Sequence, residues 1–320
     1  SAPGVIPPAV QNDHRADGSD FLTSAPPQST KTIVDTSQSD TGMTAHDAAI
    51  TDVAIGEQVT YEVTAILPEG TNDLTIVDAL PVTMEFVSAS IISTGGNLTI
   101  GTPTMTADDR DTDGADDRVT FTFGQVVNTS DDVVNADDSV VVRVIGRVRD
   151  VAGNANGDSL VNEAAITIGA GITTASAEVE VVEPVLEIIK ESPVASGPPG
   201  TIEDFTVTIS HAGTSTATAH DLTIADLLGE PNLTLIPGTV TTSVGTISGG
   251  NDSGDTEVSL SHLALAPGET VTVTYQAIVN PSAAAGVTVD TPATINWDST
   301  PGPGGRVASD SDPEPFVTST

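Results

Sequence analysis

The sequence predicts an all-β protein: two tandem Ig-like β-sandwich modules behind an extended N-terminal arm. Three observations predict it. Apolar and polar residues alternate along short runs, as in Val59, Tyr61, Val63 and Ala65 against Thr60, Glu62 and Thr64, the period of a half-buried strand. Clusters of Gly, Pro, Asn and Asp separate these runs at regular intervals, and no stretch of useful length has helical period. The same series then occurs twice. Gly56-Glu-Gln-Val-Thr-Tyr61 followed by Leu74-Thr-Ile-Val-Asp78-Ala-Leu-Pro81 reappears as Gly200-Thr-Ile-Glu-Asp-Phe205 followed by Leu222-Thr-Ile-Ala-Asp226-Leu-Leu. Many short strands with regular turns read as a sandwich, and a repeat of domain length reads as a stalk, fibre or adhesin rather than a lone enzyme.

The elements follow in order. Residues 1–30 hold Pro7-Pro8, Pro26-Pro27 and Asp17-Gly18 among small polar residues, which predicts an arm with no core of its own. A neighbouring subunit is the expected support for such an arm. Residues 31–183 form the first module, with strand patterns at Val119, Phe121 and Phe123, at Val140, Val142 and Val144, and from Ala164 to Ile168. Residues 184–320 form the second, with Leu186-Glu-Ile-Ile-Lys190, Val207-Thr-Ile209, Val271-Thr-Val-Thr-Tyr275 and Ala293-Thr-Ile295. Pro184 between the modules predicts a stiff joint and an end-to-end rod. The tail Asp310-Ser-Asp-Pro-Glu-Pro-Phe-Val317 reads as a second copy of that junction. The first residue is Ser1 rather than Met, as in a processed chain or a cut fragment.

Composition narrows the function. With 320 residues, two domains are expected, each able to bury a core. The 45 acids against 9 bases give a net charge of −36, which argues against nucleic acid and anionic membranes and for a chain that lives among cations. No apolar run is long enough to span a bilayer. Aromatic residues make up 3% of the chain, so the cores are aliphatic and a sugar-stacking platform is not expected. There is no cysteine, so something other than a disulfide must brace the modules.

The Asp-rich segment Asp109-Arg-Asp111-Thr-Asp113-Gly114-Ala-Asp116-Asp117 spaces acids at alternate positions with a glycine for the turn. That arrangement can aim several carboxylates at one hard cation, so a structural Ca2+ site is expected on Asp109, Asp111, Asp113, Asp116 and Asp117. The plainer reading is a solvated acidic turn. Asn251, Asp252, Asp255 and Glu257 are a weaker version in the second module. Asn97, Asn128, Asn232 and Asn251 lie in Asn-x-Ser/Thr sequons, which a Thr-rich chain also produces by chance. The five histidines lack metal-site spacing, and no nucleophile elbow or phosphate loop occurs, so no enzyme is expected.

These residues resemble the DUF11-type repeats, the isopeptide-forming fimbrial domains of prokaryotic surface proteins. The resemblance covers roughly residues 31–317. It rests on Gly56, Tyr61, Asp78-Ala-Leu-Pro81 and Asn162-Glu-Ala164, then on Lys190, Gly200, Phe205, Asp226 and the segment from Val289 to Asn296. It implies extracellular structural modules in which a buried lysine amine attacks an Asn or Asp side chain on a late strand. It implies Lys190 as the nucleophile, Asp226 as the acid and Asp290 or Asn296 as the partner, although the family has asparagine where this chain has Asp290. Asp35 aligns with Lys190, so a bond in the first module is expected only if Lys31 reaches Asn162. The alternative for Lys190 is a plain strand lysine in a salt bridge.

The reading from sequence is therefore a structural subunit of an extracellular filament, fimbria or stalk. Copies of the chain would join head-to-tail by strand addition from the arm, braced by calcium, with other cell-surface components as further partners. A spacer fragment of a long multi-repeat adhesin is the alternative, and an accessory module of a secreted polysaccharide-active enzyme the third.

Overall fold

The computed structural model describes residues 28–38, 41, 49–228, 231–289 and 291–319. The arm before Gln28 and Asp290 lie outside the described residues. The described chain is all-β, with one 3-10 turn at Ala136–Asp138, and among the described residues no helix is long and apolar enough to cross a membrane.

In the first module, one sheet runs in the order Gln28–Thr36, Gln58–Ile66, Ser139–Val148, Met84–Thr94. Three residues counted with the arm, 28–30, thus belong to the first strand, where Gln28 pairs with Ile66. The facing sheet runs Thr51–Ala54, Gly171–Val182, Ser159–Ile168, Gly70–Ala79, Arg118–Asn128, Leu98–Ile100, and Thr104–Asp108 also pairs with Arg118–Asn128. Alternation decides which side chains meet between the sheets. Val59, Tyr61, Val63 and Ala65 face Leu74, Ile76, Phe121 and Ile166 in one closed core. Each fully buried aliphatic side chain there stabilises the fold by about 1.5–3 kcal/mol.

The second module repeats the plan. Leu186–Glu191, Ile202–His211, Thr270–Val279 and Leu233–Leu235 lie in order in one sheet, with Thr241–Thr242 also paired to Thr270–Val279. The facing sheet runs Thr246–Gly249, Glu257–Leu265, Ala219–Leu227, Ala293–Asp298, Val307–Asp312. Its core is separate, and at its centre Phe205 and Tyr275 stack at 5.2 Å. The repeated glycines have one cause. Gly56 and Gly200 adopt φ of 95° and 90°, and each donates its N–H over 2.8 Å to an equivalent carbonyl, Val148 and Val279. A residue with a Cβ is strained in that conformation, so glycine starts the second strand of both sheets.

Candidate functional site

Strand register puts a lysine at one place in both modules. Lys31 pairs with Val63 and Lys190 with Val207. Those valines stand at the same distance after Gly56 and Gly200. Lys31, not Asp35, is therefore the counterpart of Lys190. The linear comparison missed it because the chain between the first strand and the glycine is longer in the first module. Both lysine side chains are fully buried.

In the first module Lys31 Nζ donates to Asp78 Oδ2 and sits 5.1 Å from the centre of the Tyr61 ring. Asp78 is fully buried on Gly70–Ala79 and is opposite Ala164. Asn162, two residues earlier on the inward face of the same strand as Ala164, is also fully buried. It lies close enough to Asp78 to favour the ionised carboxyl. Even so, Asn162 Oδ1, Asn162 Nδ2 and Asp78 Oδ1 complete no regular hydrogen bond. Burial dominates the electrostatics. It pushes the Asp78 carboxyl above its usual range and the Lys31 amine below its own, with their mutual attraction offsetting part of each shift. Burial and the neighbouring Asp78 also hold the Tyr61 phenol high, so it stays protonated. The direction for the pair is toward a neutral amine beside a neutral acid, next to an amide carbonyl.

The second module fills the same frame with other partners. Lys190 Nζ donates to Asp226 Oδ1 at 2.9 Å, and to Thr291 O at 2.5 Å and Thr291 Oγ1 at 2.9 Å. Tyr275 donates its hydroxyl to Asp226 Oδ2. Asp226 pairs with Ala293 as Asp78 pairs with Ala164, so Thr291 stands in the place of Asn162. A threonine side chain has no carbonyl carbon for an amine to attack. The structure brings Lys190 and Asp226 together but not Asn296, which is exposed on the outer face between the inward Ile295 and Trp297. Two more carboxylates fix the lysine strand: Asp310 accepts from Ile188 N and Asp312 from Lys190 N.

Of the five aspartates of the acidic segment, three converge. Carboxylate oxygens of Asp109, Asp111 and Asp113 lie within 4.8 Å of one another. Asp109 accepts from Thr112 N and Gly114 N, and these bonds, the Gly114 one foremost, hold its carboxyl low. Asp113 is paired with Arg149. Asp116 is exposed, while Asp117 turns inward to Arg110. In the second module Asn251 spends both side-chain atoms on Val240, and Asp255 caps Gly250 N and Asp252 N. Asp252 and Glu257 are exposed. Asn251 and Asp255 thus serve the turn, and among the described residues only Asp109, Asp111 and Asp113 form a cluster of cation-site spacing.

Three sequon asparagines are also occupied. Asn97 donates to Asp131 and Asp138, Asn128 is buried and donates to Leu67 O, and Asn251 holds Val240. A glycan at any of them would cost those bonds.

No family model matches the chain, and no curated protein matches it. Among solved structures it is similar to one described as BspA_C_mut, at 9% identity over 92% of this chain and 99% of that one, with a TM-score of 0.45. The 35 kDa C-terminal fragment of the major pilin GBS80 of Streptococcus agalactiae gives 11% identity, coverage of 90% and 91%, and a TM-score of 0.34. The collagen adhesin of S. aureus gives 12% identity, coverage of 89% and 92%, and a TM-score of 0.27. No function is carried over from these likenesses.

Proposed function

We propose that the chain is a structural subunit of an extracellular filament, fimbria or stalk whose first module is braced by an internal Lys31–Asn162 amide. The observation that supports it is the buried trio of Lys31, Asp78 and Asn162, with polar atoms left without regular partners. Such atoms cost about 1–3 kcal/mol each. The bond removes one of them, Asn162 Nδ2, as ammonia and makes Asn162 Oδ1 the oxygen of the new amide.

The chemistry balances within the chain. Neutral Lys31 Nζ attacks the Asn162 side-chain carbonyl carbon. Asp78, its carboxyl raised by burial, protonates the developing oxyanion, takes the amine proton and passes it to the leaving nitrogen, and recovers its own proton as the carbonyl re-forms. One C–N bond forms, one breaks, and ammonia leaves. In the second module Lys190, Asp226, Tyr275 and Thr291 act as a hydrogen-bonded ionic lock. Asp109, Asp111 and Asp113 hold a calcium ion that clips their loop.

Copies of the chain add head-to-tail in this reading, the N-terminal arm of one lying along a sheet edge of the next. Among the described residues Met84–Thr94 is a long edge that pairs with Ser139–Val148 on one side. A spacer role in a longer adhesin has one observation in its favour. Phe316–Thr318 pairs in parallel with Ser196–Gly197 just as the end of Gly171–Val182 pairs with Thr51–Ala54, so both modules close alike. Electron microscopy of native material separates the two: filaments of repeating subunits support the first reading, and dispersed rods support the second. The crosslink is tested by intact mass, as set out below.

A further inference from the structure

We infer that the two modules are locked into one rigid body by a loop-in-socket joint, with Arg306 as its latch. The inference is independent of the crosslink and goes beyond a linker stiffened by Pro184.

The loop is residues 299–306, between Ala293–Asp298 and Val307–Asp312. The corresponding hairpin of the first module, from Ile168 to Gly171, is a tight turn. The longer loop of the second module reaches the base of the first. There Gly304 O lies 2.4 Å, and Gly305 Cα 2.7 Å, from where a Cβ on Gly56 would stand. The equivalent Gly200 has nothing within 4 Å. Gly56 thus serves two ends: it makes the turn, and it lets another backbone sit against it. Ser299, nearly fully buried, donates to Ile55 O at 2.7 Å and accepts from Arg306 N at 2.7 Å.

Arg306 then spends its planar fork on the first module and the linker. Nε donates to Asp150 Oδ1 at 2.6 Å and Nη1 to Glu183 Oε1 at 2.6 Å. Nη2 donates to Val151 O at 3.1 Å and Asn154 O at 3.0 Å. A lysine, with one nitrogen, cannot hold four acceptors so spread. The joint has two further attachments. Thr218 N donates to Thr41 O at 3.1 Å, and Asn156 Oδ1 accepts from Thr216 Oγ1 and Glu183 N. The Trp297 indole N–H donates to Pro184 O at 3.1 Å beneath the linker. A hinge about residues 183–185 would have to break contacts on more than one side of the linker. Modules joined by a linker alone move relative to each other by default; here that motion would break the Ser299, Arg306 and Thr218 contacts.

The chain has no cysteine, so two introduced ones label it cleanly. Spin labels at Ser90→Cys and Ser253→Cys, both exposed positions in different modules, report the inter-module distance distribution. One narrow peak is expected in the otherwise native chain. Arg306→Ala should broaden it severalfold. So should Asp150→Asn with Glu183→Gln, which breaks the latch from the other module. Circular dichroism on each variant checks that both sandwiches remain folded. A broad distribution in the native background overturns the rigid body outright. A narrow peak retained in both variants overturns the role of Arg306.

Discussion

Lys31 and Lys190 occupy one position in two sandwiches, opposite Val63 and Val207, yet their surroundings differ: Lys31 bonds Asp78, to which Asn162 lies close, whereas Lys190 bonds both Asp226 and Thr291. The frame is the same and the chemistry differs. An amide side chain offers a carbon to attack, whereas a hydroxyl and a backbone carbonyl offer only hydrogen-bond acceptors. The first expected outcome concerns the second module. Lys190→Ala leaves Asp226 buried with Tyr275 as its remaining described partner, and breaking such a pair costs about 3–5 kcal/mol. Urea melts of that variant should show the loss. A change under 1 kcal/mol would mean the lysine is not locked there.

Crosslinking should follow a bell-shaped pH profile when chain recovered unfolded at full sequence mass is folded for the first time. Attack needs Lys31 without its extra proton and Asp78 with its own. Acid adds a proton to the pair and removes the nucleophile, while alkali removes one and leaves no acid. Burial moves the amine down and the carboxyl up, which draws the two protonation requirements toward each other. Bond formation followed by mass across pH checks this, and a rate rising steadily into alkali would assign no acid role to Asp78.

Glu57 gives a pH effect on stability. Its carboxyl is fully buried, accepts from Gln38 N, Thr41 Oγ1 and Ala54 N, and is pushed up by burial against the pull of those bonds. A carboxyl raised on folding contributes stability that is present below its unfolded pKa and lost as pH rises through the folded one. The Tm of the native chain relative to Glu57→Gln should therefore fall between acidic and neutral pH. A difference that grows over that range would contradict the assignment.

Calcium, if held by Asp109, Asp111 and Asp113, must compete with Arg149 for Asp113. Adding calcium to chelated protein should raise the Tm through binding to the folded state. Asp111→Asn should abolish the response, and an unchanged melt in the native chain would remove the site.

Much of the fold is legible in the sequence because a half-buried strand writes its burial as alternation, and Gly56 and Gly200 mark the same turn twice. Lys190 and Asp226 are legible for the same reason. Lys31 is hidden by the longer chain before Gly56, since linear distance is not strand register. The counterpart of Asn162 is displaced similarly: the sequence offers Asp290 or Asn296, but pairing through Ala293 selects Thr291. Asp117 reads as a metal ligand because spacing does not reveal that Arg110 holds it inward. The Arg306 latch has no motif at all. Its acceptors, Asp150, Val151, Asn154 and Glu183, lie more than a hundred residues before it in the chain.

The most direct test of the account is the intact mass of the purified native chain beside its Lys31→Ala and Lys190→Ala variants. The account predicts a native mass lower than the sequence mass by one ammonia. Lys190→Ala should keep that deficit and Lys31→Ala should abolish it. A native chain at full sequence mass, or a deficit that follows Lys190 instead of Lys31, would contradict the central claim.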